Sequence, residues 1–481
     1  MSAHHGMNEL PGLAAYCHRG HQQQREERFG RMFPHLPPSY IAADLLTAIG
    51  ASGGPMDGGS GSSSSRSQTV PVGQVIFGQF IDHDITLDVS TSLDRNPAAA
   101  TDIPNARTPR LDLDCIYGAG PEAQPYLFAA DGAHMLTGAD VAGASTEVAN
   151  DLLRSANGRA MIGDPRNDEN RIISQMQLAM IKFHNTVCDD LAASDGLAGA
   201  HLYEEAKRRV TWHYQWCVVF DFLVAMCGRP VVDDILCHGR KLYCGETPYI
   251  PVEFSVAAYR FGHSMVPMKL QVQKGGNSYE FFGTTLGRGF SPVGSADALV
   301  DWHELFDTPA GRNVQRAEKL DTKMAGDLLK LPFITSGENS LASRNLLRGN
   351  VFLLPAGEAV AAACERSDSE IALVLDKVEE IAEAAINQAG LEHPAPGSGA
   401  PLWLYVLAEA EVIGRETSAG TFDKGEGLGP TGARIVAEVL IGLLELDEHS
   451  FLGSNRNWVP KADYNRIGKL LASTNASVLP T

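Results

Sequence analysis

The chain has 481 residues, 44% of them hydrophobic and 20% charged, enough apolar material to bury a large core. Its 39 Lys+Arg stand against 58 Asp+Glu, and the formal charge of -19 argues against nucleic acid or acidic membrane surfaces as partners. No apolar run reaches the ~18 residues that span a bilayer. The eight cysteines are sparse and form no C-x-x-C pair, so free thiols are expected.

The segment Met1 to Leu10 lacks a basic stretch followed by an apolar one. The expectation is a cytoplasmic protein, or one exported without a conventional signal peptide. Residues 1–68 read as an N-terminal extension whose stretch 50–68, rich in Gly and Ser, is flexible. Residues 69–481 read as one large domain. Ile172, Met176, Phe183, Val187 and Leu191 recur at helical spacing. The same style continues over 203–228, where Asp221 interrupts the apolar run Trp216–Gly228. Further helices are predicted over 367–388, 401–412 and 431–447. Strand-like stretches are few, at Lys269–Val272 and Gly349–Leu354. The predicted class is mainly α, with long irregular loops and little β.

Five segments carry chemistry-bearing residues. In Gln79-Phe80-Ile81-Asp82-His83-Asp84, a helix would put Gln79 and His83 on one face. A histidine between two carboxylates suits proton transfer near neutral pH, although a hydrogen-bonded structural histidine explains it equally well. In Asp164-Pro165-Arg166-Asn167-Asp168-Glu169, the acids would offset a following helix dipole. That leaves Arg166, a guanidinium suited to stabilising developing negative charge. Thr108, Arg110, Asp112 and Asp114 alternate, as groups on one side of an extended segment do. Their oxygens suit a hard cation such as Ca²⁺, while spacing alone favours an ordinary edge strand. His263, in Tyr259-Arg260-Phe261-Gly262-His263, has no nearby Cys or His to complete a zinc site. It suits either an axial haem ligand or a structural role. Asn345 and Arg348 sit in a basic segment that is either a solvated helix face or a support for such a ligand and a propionate.

Together and in this order, these segments resemble the animal-type haem peroxidases of the peroxidase–cyclooxygenase superfamily, its bacterial branch in particular, from about Val70 to about Leu452. The resemblance implies a mainly α, single-domain haem peroxidase fold over 69–481. It implies haem b, hydrogen peroxide as substrate, and a small electron donor such as a phenol, iodide, bromide or thiocyanate. It makes His83 the distal acid/base, Gln79 its polar neighbour and Arg166 the distal arginine. His263 becomes the proximal iron ligand, Asn345 its partner, and Arg260 and Arg348 the propionate contacts. Asp84, Thr108, Arg110 (through its carbonyl), Asp112 and Asp114 become calcium ligands, with Asp114 standing where the family has Ser. Asp82 and Glu169 match carboxylates that some relatives esterify to haem. Asn170 stands where myeloperoxidase carries a haem-linked Met, so no sulfonium link and a milder oxidant are expected. Fatty-acid dioxygenases share the scaffold and place a radical-forming Tyr three residues before the proximal histidine. Here that position is Arg260, with Tyr259 one residue out of register.

Overall fold

The computed structural model describes residues 29–59, 66–87, 103, 105–332, 334, 336–393 and 399–475. Its α-helices of eight residues or more are α1 (Ala43–Gly50), α2 (Val72–Ile85), α3 (Arg171–Asp195), α4 (Gly199–Cys217), α5 (Arg229–His238), α6 (Leu341–Val351), α7 (Asp368–Ala389), α8 (Leu402–Val412) and α9 (Pro430–Leu446). The strands are β1 (Phe29–Gly30), β2 (Arg66–Pro71), β3 (Ile250–Pro251), β4 (Lys269–Gln271), β5 (Ser278–Glu280), β6 (Arg316–Glu318), β7 (Arg415–Ser418) and β8 (Thr421–Asp423). They form only two-stranded pairs among the described residues: β1 parallel to β3, and β2–β6, β4–β5 and β7–β8 antiparallel. The fold is mainly helical and single-domain, as expected. No helix of the described residues is long and apolar enough to cross a membrane.

Local chemistry explains the helix limits. Asn170 caps α3 by accepting from the N–H groups of Ile172 (3.1 Å) and Ile173 (3.0 Å). Gly196, at φ 67°, ends it in the left-handed conformation that glycine tolerates. Ser367 and Glu370 form a capping box before α7. The predicted helix over 203–228 is divided: α4 passes into a π-turn, Val218–Phe222, and then into Leu223–Cys227. Inside that turn the buried Asp221 accepts from the Ile467 N–H (2.9 Å) and from Arg466 (3.1 Å), so the interrupting charge has tertiary partners.

One expectation is corrected. Gly349–Leu354 is not a strand. Helix α6, capped by Ser340, runs to Val351, and Leu353 at φ 53° closes it. Helical hydrogen bonding, continued by Phe352 N–H to Arg348 O (3.0 Å), overrides the local apolar composition. Residues 50–59, at the start of the Gly/Ser-rich stretch, make specific contacts. Asp57 ties down the N–H groups of Gly53 (2.6 Å) and Gly59 (2.7 Å), and Met56 is buried. Residues 66–68 lie in β2, which crosses the expected 68/69 boundary; residues 60–65 lie outside those described.

The core is continuous from Phe29 to Leu471 and includes α1, which packs along α6. Helix α9 is nearly all buried and contacts α5, α8 and the 3-10 segment Ala258–Met265. The cysteines among the described residues are free thiols, the exposed Cys237 and Cys244 included.

Candidate active site

Helix α2 organises the site. It packs against α3, β6, the 3-10 turn Pro165–Asp168 and the segment Ala258–Met265. Gln79 and His83 stand one turn apart on it. His83 is 5% exposed, and its Nδ1 lies 2.7 Å from Oδ1 of Asn167. Burial, and then the Arg166 charge, depress its pKa to about 4 against the pull of Asp82 and Asp164. The imidazole is therefore neutral at pH 7.

Arg166 is held by its neighbours. Nε and Nη2 donate to the buried Asp164 carboxylate, with Nη2 at 2.7 Å from Oδ2. Nη2 also reaches the carbonyls of His83 (3.0 Å) and Thr86 (2.7 Å). Burial alone would raise the pKa of Asp164, but Arg166 and then Arg107 hold it at about 2. Glu169 accepts from Gln79 Nε2, and its Oε1 lies 3.9 Å from His83 Nε2. Burial lifts its pKa to about 7, with Asp164 and Asp82 adding to the effect and Arg166 opposing it. With His83 neutral, the His83–Glu169 approach is a polar contact rather than an ion pair. Asp82 accepts from Thr86 Oγ1 at 2.8 Å. Asp168 does not serve the helix dipole as expected, because Arg154 grips it through two nitrogens at 2.7 and 2.8 Å.

The second group forms around His263 on Ala258–Met265. Its Nδ1 lies 2.8 Å from Asn345 Nδ2 on α6, while Arg260 Nη1 donates to Asn345 Oδ1 (3.3 Å). In that orientation Asn345 donates to Nδ1, which suits an imidazole protonated on Nε2. Burial, then Arg260 and Arg348, lower the pKa of His263 to about 3. Both guanidinium groups therefore lie within electrostatic reach of the ring. The Tyr259 hydroxyl donates to the Gly78 carbonyl (3.2 Å), linking this segment to α2 next to Gln79.

The third group is acidic. Asp84, Asp112 and Asp114 each bring a carboxylate oxygen within 4.8 Å of the others, and together they could hold a metal ion. Asp84 Oδ2 accepts from the Leu113 N–H (3.2 Å), whereas Oδ1 is buried with no hydrogen-bond partner. A buried carboxylate oxygen left in this way is costly unless a cation meets it. Asp112 accepts from the Asp114 N–H and from Thr108 Oγ1, both at 3.1 Å. Burial raises all three carboxyl pKa values, that of Asp114 to about 7. The expected edge strand is absent: residues 106–112 make bends, broken only at Thr108. The alternation survives without it, since Thr108, Arg110, Asp112 and Asp114 are half-buried between the buried Arg107, Pro109, Leu111 and Leu113.

Arg107, Asp164, Asn167 and Gln177 were not picked out as functional from the sequence. Arg107 bridges the acidic loop to the Arg166 anchor, at 3.0 Å from Asp114 and 2.7 Å from Asp164. Asp164 at i−2 from Arg166 could have been suspected as a turn cap. The other three carry no local signal, because a deciding partner of each lies tens of residues away: Asp164 for Arg107, His83 for Asn167 and the Cys115 carbonyl for Gln177.

The family model described as "Animal haem peroxidase" matches residues 90–367, and the chain belongs to that family. The matched stretch contains Arg166, His263 and Asn345 and begins after His83. Among curated proteins, Dual oxidase 1 of Caenorhabditis elegans is 29% identical over 122 residues, which is 25% of this chain and 8% of that protein. Dual oxidase of Drosophila melanogaster is 28% identical over 108 residues, 22% of this chain and 7% of that protein. The matched stretch is thus under a tenth of the length of either relative. Among solved structures, Peroxidase A from Dictyostelium discoideum superposes with a TM-score of 0.61 at 15% identity, covering 91% of this chain and 92% of that one. Fatty acid alpha-dioxygenase from Arabidopsis thaliana gives 0.58 at 16%, covering 93% and 76%. At such identities these likenesses show the fold.

Proposed function

We propose that the protein is a haem peroxidase that reduces hydrogen peroxide and oxidises small donors such as phenols, iodide, bromide or thiocyanate. The observation that carries this reading is the neutral, buried His83 beside Arg166, on a helix packed against the segment bearing His263. One imidazole with two nearby guanidinium groups fits an iron porphyrin with two propionates. In that arrangement His263 would hold iron through Nε2, and Arg260 and Arg348 would pair with the propionates. Ligation through Nε2 requires the imidazole proton on Nδ1, with the Asn345 amide turned over to accept it. When bound, haem supplies the electron-transfer chemistry. His83 takes a proton from peroxide and returns it to the departing oxygen, which leaves as water. Arg166 stabilises the negative charge that develops on that oxygen. Gln79 orients polar ligands beside His83.

Asp84, Asp112 and Asp114, with Thr108 and the Arg110 carbonyl, form the proposed calcium site, which would pin the loop next to His83. Asp82 and Glu169 are the proposed ester links to haem. Asn170 is committed to capping α3 and offers no sulfur, which favours a mild oxidant. Acid–organic extraction tests the esters: haem leaving wholly with solvent refutes them. The peroxidase reading is tested by mixing the fully haem-loaded protein with peroxide. A rapid Soret change is expected, its absence would refute the reading, and His263→Ala is expected to lose the native Soret band.

One observation favours a second reading, a fatty-acid dioxygenase. Tyr259 is buried between the two histidine-bearing elements, with its hydroxyl on the Gly78 carbonyl. Oxygen uptake with a fatty acid that depends on Tyr259 would overturn the peroxidase preference.

A further inference from the structure

On the peroxidase reading above, we propose that Asn167 is a positioning residue that selects the tautomer of His83, so that an unprotonated Nε2 faces peroxide. The polarity of a chain of buried hydrogen bonds carries the inference. The Cys115 carbonyl can only accept, so Gln177 must reach it through Nε2 (3.2 Å). Gln177 Oε1 then faces Asn167 and accepts from its Nδ2 (2.8 Å). That turns Asn167 Oδ1 toward His83, and Nδ1 at 2.7 Å donates to it.

A neutral imidazole carries one ring proton, so Nε2 keeps its lone pair. That nitrogen lies on the side of Glu169 and Gln79. A general base needs a lone pair at the proton it abstracts, and an N–H there would block the step. Reversing the chain would set the Gln177 carbonyl against the Cys115 carbonyl, two acceptors with no proton between them. Asn167 and Gln177 are both fully buried, so that loss would go uncompensated. Cys115 follows Asp114, so the relay is anchored on the acidic loop.

The test uses ¹⁵N-histidine-labelled holoprotein in its diamagnetic ferrous carbon-monoxide form, with His83 assigned by difference from His83→Gln. The expected spectrum shows the His83 proton on Nδ1 and none on Nε2. A proton on Nε2 in the wild type overturns the proposal, however the variants behave. Asn167→Asp keeps the acceptor and should keep the proton on Nδ1; because its carboxylate loses the donor to Gln177 Oε1, the rate of Soret change with peroxide is read instead in a variant without the acceptor. Asn167→Leu removes it, and should slow that change by about ten- to a hundredfold at full haem occupancy. Equal rates in Asn167→Leu and wild type would also sink the idea. A wild type with protonated Nδ1 but no reaction with peroxide supports the tautomer assignment and removes the peroxidase reading instead.

Discussion

At His83 two fields oppose each other. Burial and Arg166 disfavour the imidazolium, Asp82 and Asp164 favour it, and the first pair prevails. Burial, helped by Arg166, thus keeps the imidazole neutral, and on the proposed peroxidase reading Arg166 would also stabilise the departing oxygen. Arg166→Gln is expected to slow the peroxide-driven Soret change by about 10²–10³-fold in stopped-flow mixing; a rate within threefold of wild type would remove Arg166 from the mechanism. Asn170 has a separable job. Asn170→Ala should cost about 1 kcal/mol of stability in urea unfolding through the lost α3 cap, with the Soret band unchanged. The shared face of Gln79 and His83 follows from a four-residue spacing and was legible in the sequence. The partner of His83 was not, since Asn167 lies 84 positions away and only packing brings it near.

At the level of elements, the acidic loop, the Pro165–Asp168 turn and the end of α2 form one unit. Arg107 and Asp164 tie Asp114 to Arg166 through buried ion pairs. Gly163 permits the approach: a Cβ there would lie 2.4 Å from the Asp114 carbonyl oxygen and 2.7 Å from that of Cys115. Gly163→Ala should push the loop from the turn and weaken both calcium binding and peroxide reactivity, as read by calorimetric titration and Soret mixing. Calcium affinity should also depend on pH. With no cation, burial raises the Asp114 pKa from the ordinary 3.8 to about 7, and Asp84 and Asp112 are raised as well. Protons therefore compete with the ion below about pH 7 and yield above it. Chelation should lower Tm much more at pH 8 than at pH 5.5, and an equal drop at both would contradict a site built from these carboxylates. The alternation of Thr108, Arg110, Asp112 and Asp114 was legible, but its placement on an edge strand was not. The loop curls because Asp84, from another element, binds the Leu113 N–H, and Leu113 takes φ 59°.

For the whole molecule, buried histidines contribute to the response to acid, His83 and His184 among them. His83 and His184 both have folded pKa values lowered by burial to about 4, below the ordinary 6.5. At these two side chains the unfolded chain therefore binds protons first as pH falls, which favours unfolding from pH 6.5 down to about 4. Each shift corresponds to about 3 kcal/mol at the acid limit. Asp164, depressed to about 2, acts in the same direction at lower pH: its contribution is full above the ordinary carboxylate value and is lost toward pH 2. Buried carboxyls act in the opposite direction over the same range, with Asp114, Glu169 and Glu409 raised to about 7, so the histidine contribution is read by difference: in denaturant titrations at pH 7, 5.5 and 4.5, His184→Gln should gain stability relative to wild type as pH falls. A difference between variant and wild type that stays constant over that range would contradict the burial of His184.

Residue type and short-range spacing were enough to predict the mainly helical class, the helix later found at α3, those at α7 to α9, the one-sided pairing of Gln79 with His83, and the alternation of polar groups over 108–114, whose reading as a cation site came from the family resemblance instead. Those properties are local, because amphipathic periodicity, capping and side-chain chemistry act within a few residues. Tertiary structure decided which nitrogen of His83 meets an acceptor, which guanidinium reaches the acidic loop, and that Tyr259 bonds to α2 beside Gln79. It also divided the helix beyond α4 with a π-turn and replaced the supposed strand after Gly349 with the end of α6. Such pairings join segments separated by tens to hundreds of residues. They depend on the register in which helices pack, and a single chain's periodicity does not encode that register.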